Sequence, residues 1–248
     1  MASNILTQKI YILLHGAWHA SWCWRRVVPI IEAQGHVVLT PDLPGHSKNK
    51  ISFKEITLKT YVDEITKLIK LQDRPVILVS HSMSGIVISQ LAESIPEHIE
   101  ALIYISSFIP DNNGSLVHEE RRAKTQGVVK EVIIDEYNNR IILKPSFRIS
   151  ELFFNTCSKE EANWAINKLQ DQPFRPFVDI VTLSTKRFGS IPKFYIECLK
   201  DKAISIEDQR RMYSKIKAEI FSLDTGHSPF LCTPQALSML LLNTVMKK

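Results

Sequence analysis

Val76 to Ile88 reads VILVSHSMSGIVI. Its first part is a continuous apolar, β-branched run of strand length, and the stretch MSGIVISQLAESI that follows it has helical character. Ser82 stands at the join, with Ser80 two residues before it and Ser84 two residues after. A strand that turns at once into a helix brings the backbone on both sides of the corner close together. Residues at those two flanking positions must therefore be small. Hydrolases often place glycine there. Serine adds only a Cβ and a hydroxyl, and Gly85 leaves further room, so a nucleophile corner fits here as well as a serine-rich turn does.

The flanking sequence sets the architecture. KIYILL (Lys9 to Leu14) reads as a buried strand, WCWRRVVPIIEAQG as a helix closed by Gly35, HVVLTP as a strand and DLPGHS as a turn. TLKTYVDEITKLIKLQ is a helix, with Leu58, Tyr61, Val62, Ile65, Leu68 and Ile69 at three- and four-residue spacing. IEALIYISS is again a strand. Apolar strands alternating with helices predict an α/β fold, a mostly parallel sheet covered on both faces. Right-handed crossovers put every strand-to-helix loop at one edge, and ligands bind at that edge.

The rhythm breaks from Phe108 to Gly189, which is punctuated by Pro110, Pro145, Pro173 and Pro176. This stretch, 108–189, is expected to be a helical cap over the carboxyl edge, with 1–107 and 190–248 forming the core. SKEEANWAINKL is its clearest helix, with Ser158 as N-cap and Glu161 at the capping-box position. The alternation resumes with PKFYIEC, then SIEDQRRMYSKI with Ser205 as N-cap, AEIFSL, and a last helix starting at Thr233-Pro234.

This frame locates partners for Ser82. The helix after it aims free N–H groups at the corner, so Met83 N–H is one candidate oxyanion donor. The loop HGAWHASW after the first strand supplies the second, Ala17 N–H. In this architecture the chain order is serine, acid, histidine. Asp201 directly follows the strand KFYIECLK, and His227 follows EIFSLDTG, both at the carboxyl edge. Asp224, three residues before His227, is read as shaping the turn, and Asp179 lies in the cap.

Of the other histidines, His81 is read as packing beside the corner and His15 as bonding backbone beneath it. His19 is a pocket candidate, and His36, His46, His98 and His118 are surface or turn residues. Trp18, Phe108, Leu152, Phe153, Trp164 and Phe177, with Gly16 in the oxyanion loop, are the candidate lining of an apolar pocket. No histidine pair has metal-ligand spacing with an acidic partner, so neither metal nor cofactor is expected.

Composition restricts the function classes. The 248 residues are 44% apolar and 23% charged, an ordinary globular balance. The net charge of +5 includes no basic block dense enough for nucleic acid. The N-terminus has no secretory pattern, and no apolar run reaches membrane-spanning length. Cys23, Cys157, Cys198 and Cys232 show no C-x-x-C spacing and are expected to be reduced, in a cytoplasmic setting.

Together HGAWHASWCW, SHSMSG, ECLKDKAISIEDQRRM and DTGHSPFLCTPQAL resemble the α/β-hydrolase superfamily, in particular the branch of plant methylesterases and hydroxynitrile lyases and its bacterial esterase relatives. The resemblance runs nearly end to end. It implies Ser82 as nucleophile, Asp201 as acid, His227 as base, and Ala17 and Met83 as oxyanion donors. It implies a small-molecule ester as substrate and a homodimer paired through the cap. The lyases of that branch carry threonine directly after the loop's first histidine and lysine directly after the catalytic histidine. Gly16 and Ser228 stand at those places, which favours ester hydrolysis over C–C cleavage or a ligand receptor on the same scaffold.

Overall fold

The computed structural model describes residues 8–246 apart from 48, 50 and 126. Residues 1–7, most of the stretch read above for a leader, lie outside them. Chain order begins β1 (Ile10–Leu14), α1 (Val28–Glu32), β2 (Val37–Leu39), α2 (Leu58–Lys70), β3 (Val76–His81), α3 (Ser84–Ser94) and β4 (Ile99–Ile105). The expected first helix is divided: a 3-10 turn over Ser21–Arg26 precedes α1, and Pro29 stands in the first turn of α1. Gly35, at φ +83°, follows α1 as expected. In α2, Leu58, Tyr61, Val62, Ile65 and Ile69 are buried, and Thr57 with Thr60 forms a capping box.

After β4 come α4 (Leu116–Arg121), β5 (Val132–Asp135), β6 (Arg140–Leu143), α5 (Arg148–Phe154), α6 (Lys159–Ile166), β7 (Gln172–Pro173) and α7 (Arg175–Val178). This stretch was expected to be helical. It also contains a three-stranded antiparallel sheet, β5-β6-β7. The sheet was missed because its strands are two to four residues long, too short to show alternation. Ser158 caps α6 by accepting from Glu161 N–H. The chain ends with β8 (Lys193–Cys198), α8 (Ile206–Tyr213), β9 (Glu219–Leu223), α9 (Pro229–Cys232) and α10 (Pro234–Met246).

Six strands form one sheet in the order β2-β1-β3-β4-β8-β9, and every pairing in it is parallel. All residues of β1, β3 and β8 are buried, which explains the apolar runs of β1 and the first four residues of β3; β8 also buries Lys193 and Glu197. The chain moves outward in one direction from β1 to β2 and in the other from β1 to β3. The reversal lies between β1 and β3, and a crevice opens there at the carboxyl ends of the strands. Ser82 and the HGAW loop flank that crevice.

The expectation of four reduced cysteines does not hold. Cys157, in the turn between α5 and α6, is disulfide-bonded to Cys232 at the end of α9, with their Cα atoms 4.6 Å apart. Cys23 and Cys198 are free and buried. The two partners are 75 residues apart and carry no local motif, so spacing could not reveal the pairing. The cytoplasmic expectation rested on reduced thiols and loses that ground. In the chain-entropy model, closing a loop of this length is worth about 4.5 kcal/mol. Cys157→Ser is therefore expected to lower the urea midpoint in non-reducing buffer, and equal midpoints for variant and wild type would contradict the bond's contribution.

Candidate active site

Ser82 sits between β3 and α3 at φ +54°, the left-handed region a non-glycine residue rarely occupies. The surrounding packing fixes that conformation. Ser82 N–H donates to Ile105 C=O (3.3 Å), and Ser82 C=O accepts from Phe108 N–H (3.0 Å) and the Ser107 hydroxyl (2.8 Å). The two serines standing where glycines are common do more than fit. The Ser84 hydroxyl accepts from His81 N–H (3.0 Å) and lies 2.9 Å from the Leu14 and His81 carbonyls, tying the corner to β1. The Ser80 hydroxyl meets that of Ser107 at 3.0 Å. Gly85 allows no side chain: a Cβ there would lie 2.1 Å from the Phe108 carbonyl oxygen.

Asp201 and His227 reach the corner from the ends of β8 and β9. His227 Nδ1 lies 2.7 Å from Asp201 Oδ2. Asp201 Oδ1 accepts from Ala203 N–H (2.7 Å) and Ile204 N–H (2.9 Å), and the Ser106 hydroxyl donates to Oδ2. Four donors thus hold one carboxylate in one orientation. His81 Nε2 donates to the His227 carbonyl (2.8 Å), and the two rings lie 4.6 Å apart. His81 therefore positions the histidine loop from beneath. With Nδ1 engaged by Asp201, Nε2 is the ring nitrogen of His227 left for a ligand or Ser82. The Ser82 hydroxyl is committed to no other protein group among the described residues.

The HGAW loop follows β1. His15 accepts from Leu43 N–H (3.0 Å) at Nε2 and donates to Gly16 C=O (2.9 Å) from Nδ1, the backbone-bonding role expected of it. Trp18 has φ +61°, and its backbone and indole are tied to the inserted sheet: Trp18 N–H donates to Gln172 Oε1 (3.3 Å) and Nε1 to Ile141 C=O (3.2 Å). Neither Ala17 N–H nor Met83 N–H donates to any protein acceptor among the described residues. Both residues line one cavity with Ser82 and His227.

That cavity measures about 30 Å³ and is otherwise walled by Trp18, Phe108, Leu116, Glu120, Val128, Phe153 and Phe177 with Ala203 and Ile204. Trp18, Leu116, Glu120, Val128 and Phe177 also border a chamber of about 260 Å³, completed by apolar residues such as Val132, Ile141 and Phe174, with Arg121 at its edge. Of the pocket candidates, Trp18, Phe108, Phe153 and Phe177 border the cavity at Ser82.

Trp164, His19, Gly16 and Leu152 do not line it. Trp164 packs edge-on against Trp22 with Arg25 stacked on it (4.0 Å), away from the cavity. His19 is buried among Trp22, Phe153, Phe154 and Phe230, beneath the site. Gly16 supplies space instead of a wall: a Cβ there would lie 2.7 Å from His81 Nδ1 and 3.0 Å from Ser82 Cβ. Leu152 is core. His36 and His46, read as surface or turn residues, are both buried; His46 packs on the His15 ring at 4.8 Å and bonds Gln172. Asp179 accepts from Leu58 N–H (2.9 Å) at the start of α2, and Asp224 pairs with Lys200 (2.7 Å). Ser106, Gln172 and Glu120 were not read from the sequence. Each acts through a contact formed between distant segments, and none carries a local motif.

Burial holds these histidines neutral. It lowers the His15 pKa to about 3, helped by the neighbouring His46, and the His19 pKa to about 4. The unfolded chain protonates both near the usual value of about 6.5. Between these limits the unfolded state binds more protons, so stability is complete above about pH 6.5 and falls as pH drops below it. The loss approaches about 1.4 kcal/mol per pH unit for each residue. Urea midpoints measured at neutral pH and near pH 5 should show this fall, and equal midpoints would contradict it.

A model of the alpha/beta hydrolase family matches residues 11–238, and the chain belongs to that family. Methylesterase 7 of Arabidopsis thaliana is 30% identical over 258 residues, covering 97% of each chain. Salicylic acid-binding protein 2 of Nicotiana tabacum is 30% identical over 261 residues, covering 96% of this chain and 98% of its own. The crystal structure of a pyrethroid hydrolase from Sphingobium faniae superposes with a TM-score of 0.88 at 24% identity, over 97% of this chain and 98% of that one. This last likeness speaks for the fold.

Proposed function

We propose that the protein is a serine hydrolase of carboxylic esters that works through an acyl-enzyme. The observation that carries this reading is the convergence of four groups on one cavity: the left-handed Ser82, the Asp201-bound His227, and the unspent N–H groups of Ala17 and Met83. His227 Nε2 takes the Ser82 proton as the hydroxyl attacks the ester carbonyl, and Asp201 holds the imidazole in the tautomer that can do so. The Ala17 and Met83 donors stabilise the oxyanion, where one lost donor costs about 3–4 kcal/mol of barrier. His227 then protonates the departing alcohol, and water repeats the sequence to release the acid.

The methylesterase named above supports an ester of a small alcohol, with the acyl part in the 260 Å³ chamber. Gly16 supports hydrolysis over cyanohydrin cleavage. The threonine that the lyases carry there would press its Cβ on His81 Nδ1. The 108–189 stretch is read as the cap, since its residues supply most of the chamber wall.

The reading is tested with a panel of esters varied separately in acid and alcohol size. Turnover that favours small alcohols and tolerates apolar acids is expected. A purified enzyme that hydrolyses no ester in the panel and shows no acylation burst would contradict it.

A further inference from the structure

Among the described residues, Glu120 is the one acidic side chain lining the cavity and the chamber, whose walls are mostly apolar and aromatic. It lies where the catalytic cavity meets the larger chamber and lines both. Its carboxylate has no hydrogen-bond or ion-pair partner in the protein among the described residues. Arg211 stabilises the Glu120 carboxylate only at a distance, because its direct ion pairs are with Glu119 (2.5 Å) and Asp208 (3.5 Å). Arg121 borders the same chamber but forms no ion pair with Glu120. Asp208 accepts from the Ser205 hydroxyl and Lys124 N–H and offers Glu120 only repulsion. A carboxylate with no direct partner in such surroundings is stabilised by a proton or by a cation from outside. The rings of Trp18 and Phe177 beside it also favour a positive charge.

We propose that Glu120 is a specificity-determining residue that selects esters whose acyl part carries a protonated amine, which pairs with its carboxylate in the chamber. The proposal rests on the esterase reading and extends it to a substrate class. The amine supplies both the opposite charge and N–H donors, and charge-assisted bonds of this kind are the strong ones. Burial pushes the Glu120 carboxyl up to about 7, with Asp208 adding to the rise. An empty site therefore leaves this carboxylate poorly stabilised, and a cationic substrate relieves it.

The test uses methyl 4-(dimethylamino)butanoate and its five- and six-carbon homologues, each paired with the ester in which carbon replaces nitrogen, such as methyl 5-methylhexanoate. Calorimetric binding is measured in the Ser82→Ala background at about pH 8, where Glu120 is ionised and an alkylamine is protonated. At the best chain length the amino ester should bind at least about tenfold tighter than its isostere. Glu120→Gln should remove that ratio. Glu120→Asp should keep a preference and move the best chain length up by one methylene, which a merely structural role would not do. Equal or weaker binding of every amino ester, or a preference that survives Glu120→Gln, overturns the proposal. Binding is read without turnover, so failure of the wild type to hydrolyse these esters would count against the esterase reading alone.

Discussion

Ser82→Ala is expected to lower kcat for ester hydrolysis by about a millionfold, equivalent to about 8 kcal/mol of barrier. The nucleophilic oxygen is lost, and the base has nothing to activate. The two oxyanion donors and the chamber remain, so a residual rate over uncatalysed hydrolysis should persist. The fold should survive. Alanine keeps the Cβ, and none of the bonds that hold the corner uses the Ser82 hydroxyl. They run through the Ser82 backbone and the hydroxyls of Ser80, Ser84 and Ser107. Steady-state assays on purified variant, together with its melting temperature, check both parts. A loss smaller than a hundredfold would place the chemistry on another group.

Asp201→Asn should cost about ten-thousandfold in kcat, about 5.5 kcal/mol, with KM little changed. The geometry dictates how. Ala203 N–H and Ile204 N–H both donate to Oδ1, so the asparagine oxygen takes that place. Its amide nitrogen then faces His227 Nδ1, 2.7 Å away in the native pair. An amide donates where the carboxylate accepted, which moves the imidazole proton to Nε2. In that tautomer His227 cannot accept the Ser82 proton. Kinetics and circular dichroism together test this, since the expected loss occurs with the fold intact. A loss under tenfold would mean that Asp201 orients nothing essential.

How much the sequence revealed depends on the range of the forces involved. The inner strands β1, β3 and β4 were legible because burial on both faces leaves long apolar runs. The alternation then fixed which chain ends share an edge, and so Ser82, Asp201 and His227 could be sought there. Ala17 and Met83 followed from the loop and helix start that flank the crevice. The inserted sheet was not legible, because β7 is only two residues long. Its Gln172 nevertheless holds the Trp18 backbone, and Ser106, after β4, fixes Asp201. Such contacts join segments up to 154 residues apart, and no local pattern announces them. The pocket reading erred at His19 and Trp164 for a related reason. An aromatic residue near an active-site loop can face the core or solvent equally well, and only packing decides.

Covalent labelling tests the central claim most directly. The protein is treated with a fluorophosphonate probe, digested, and the adduct located by fragment masses that separate Ser82 from Ser80 and Ser84. A single adduct on Ser82, abolished in Ser82→Ala and slowed in Asp201→Asn, is the predicted result. An unlabelled wild type, or an adduct on any other residue, would contradict it.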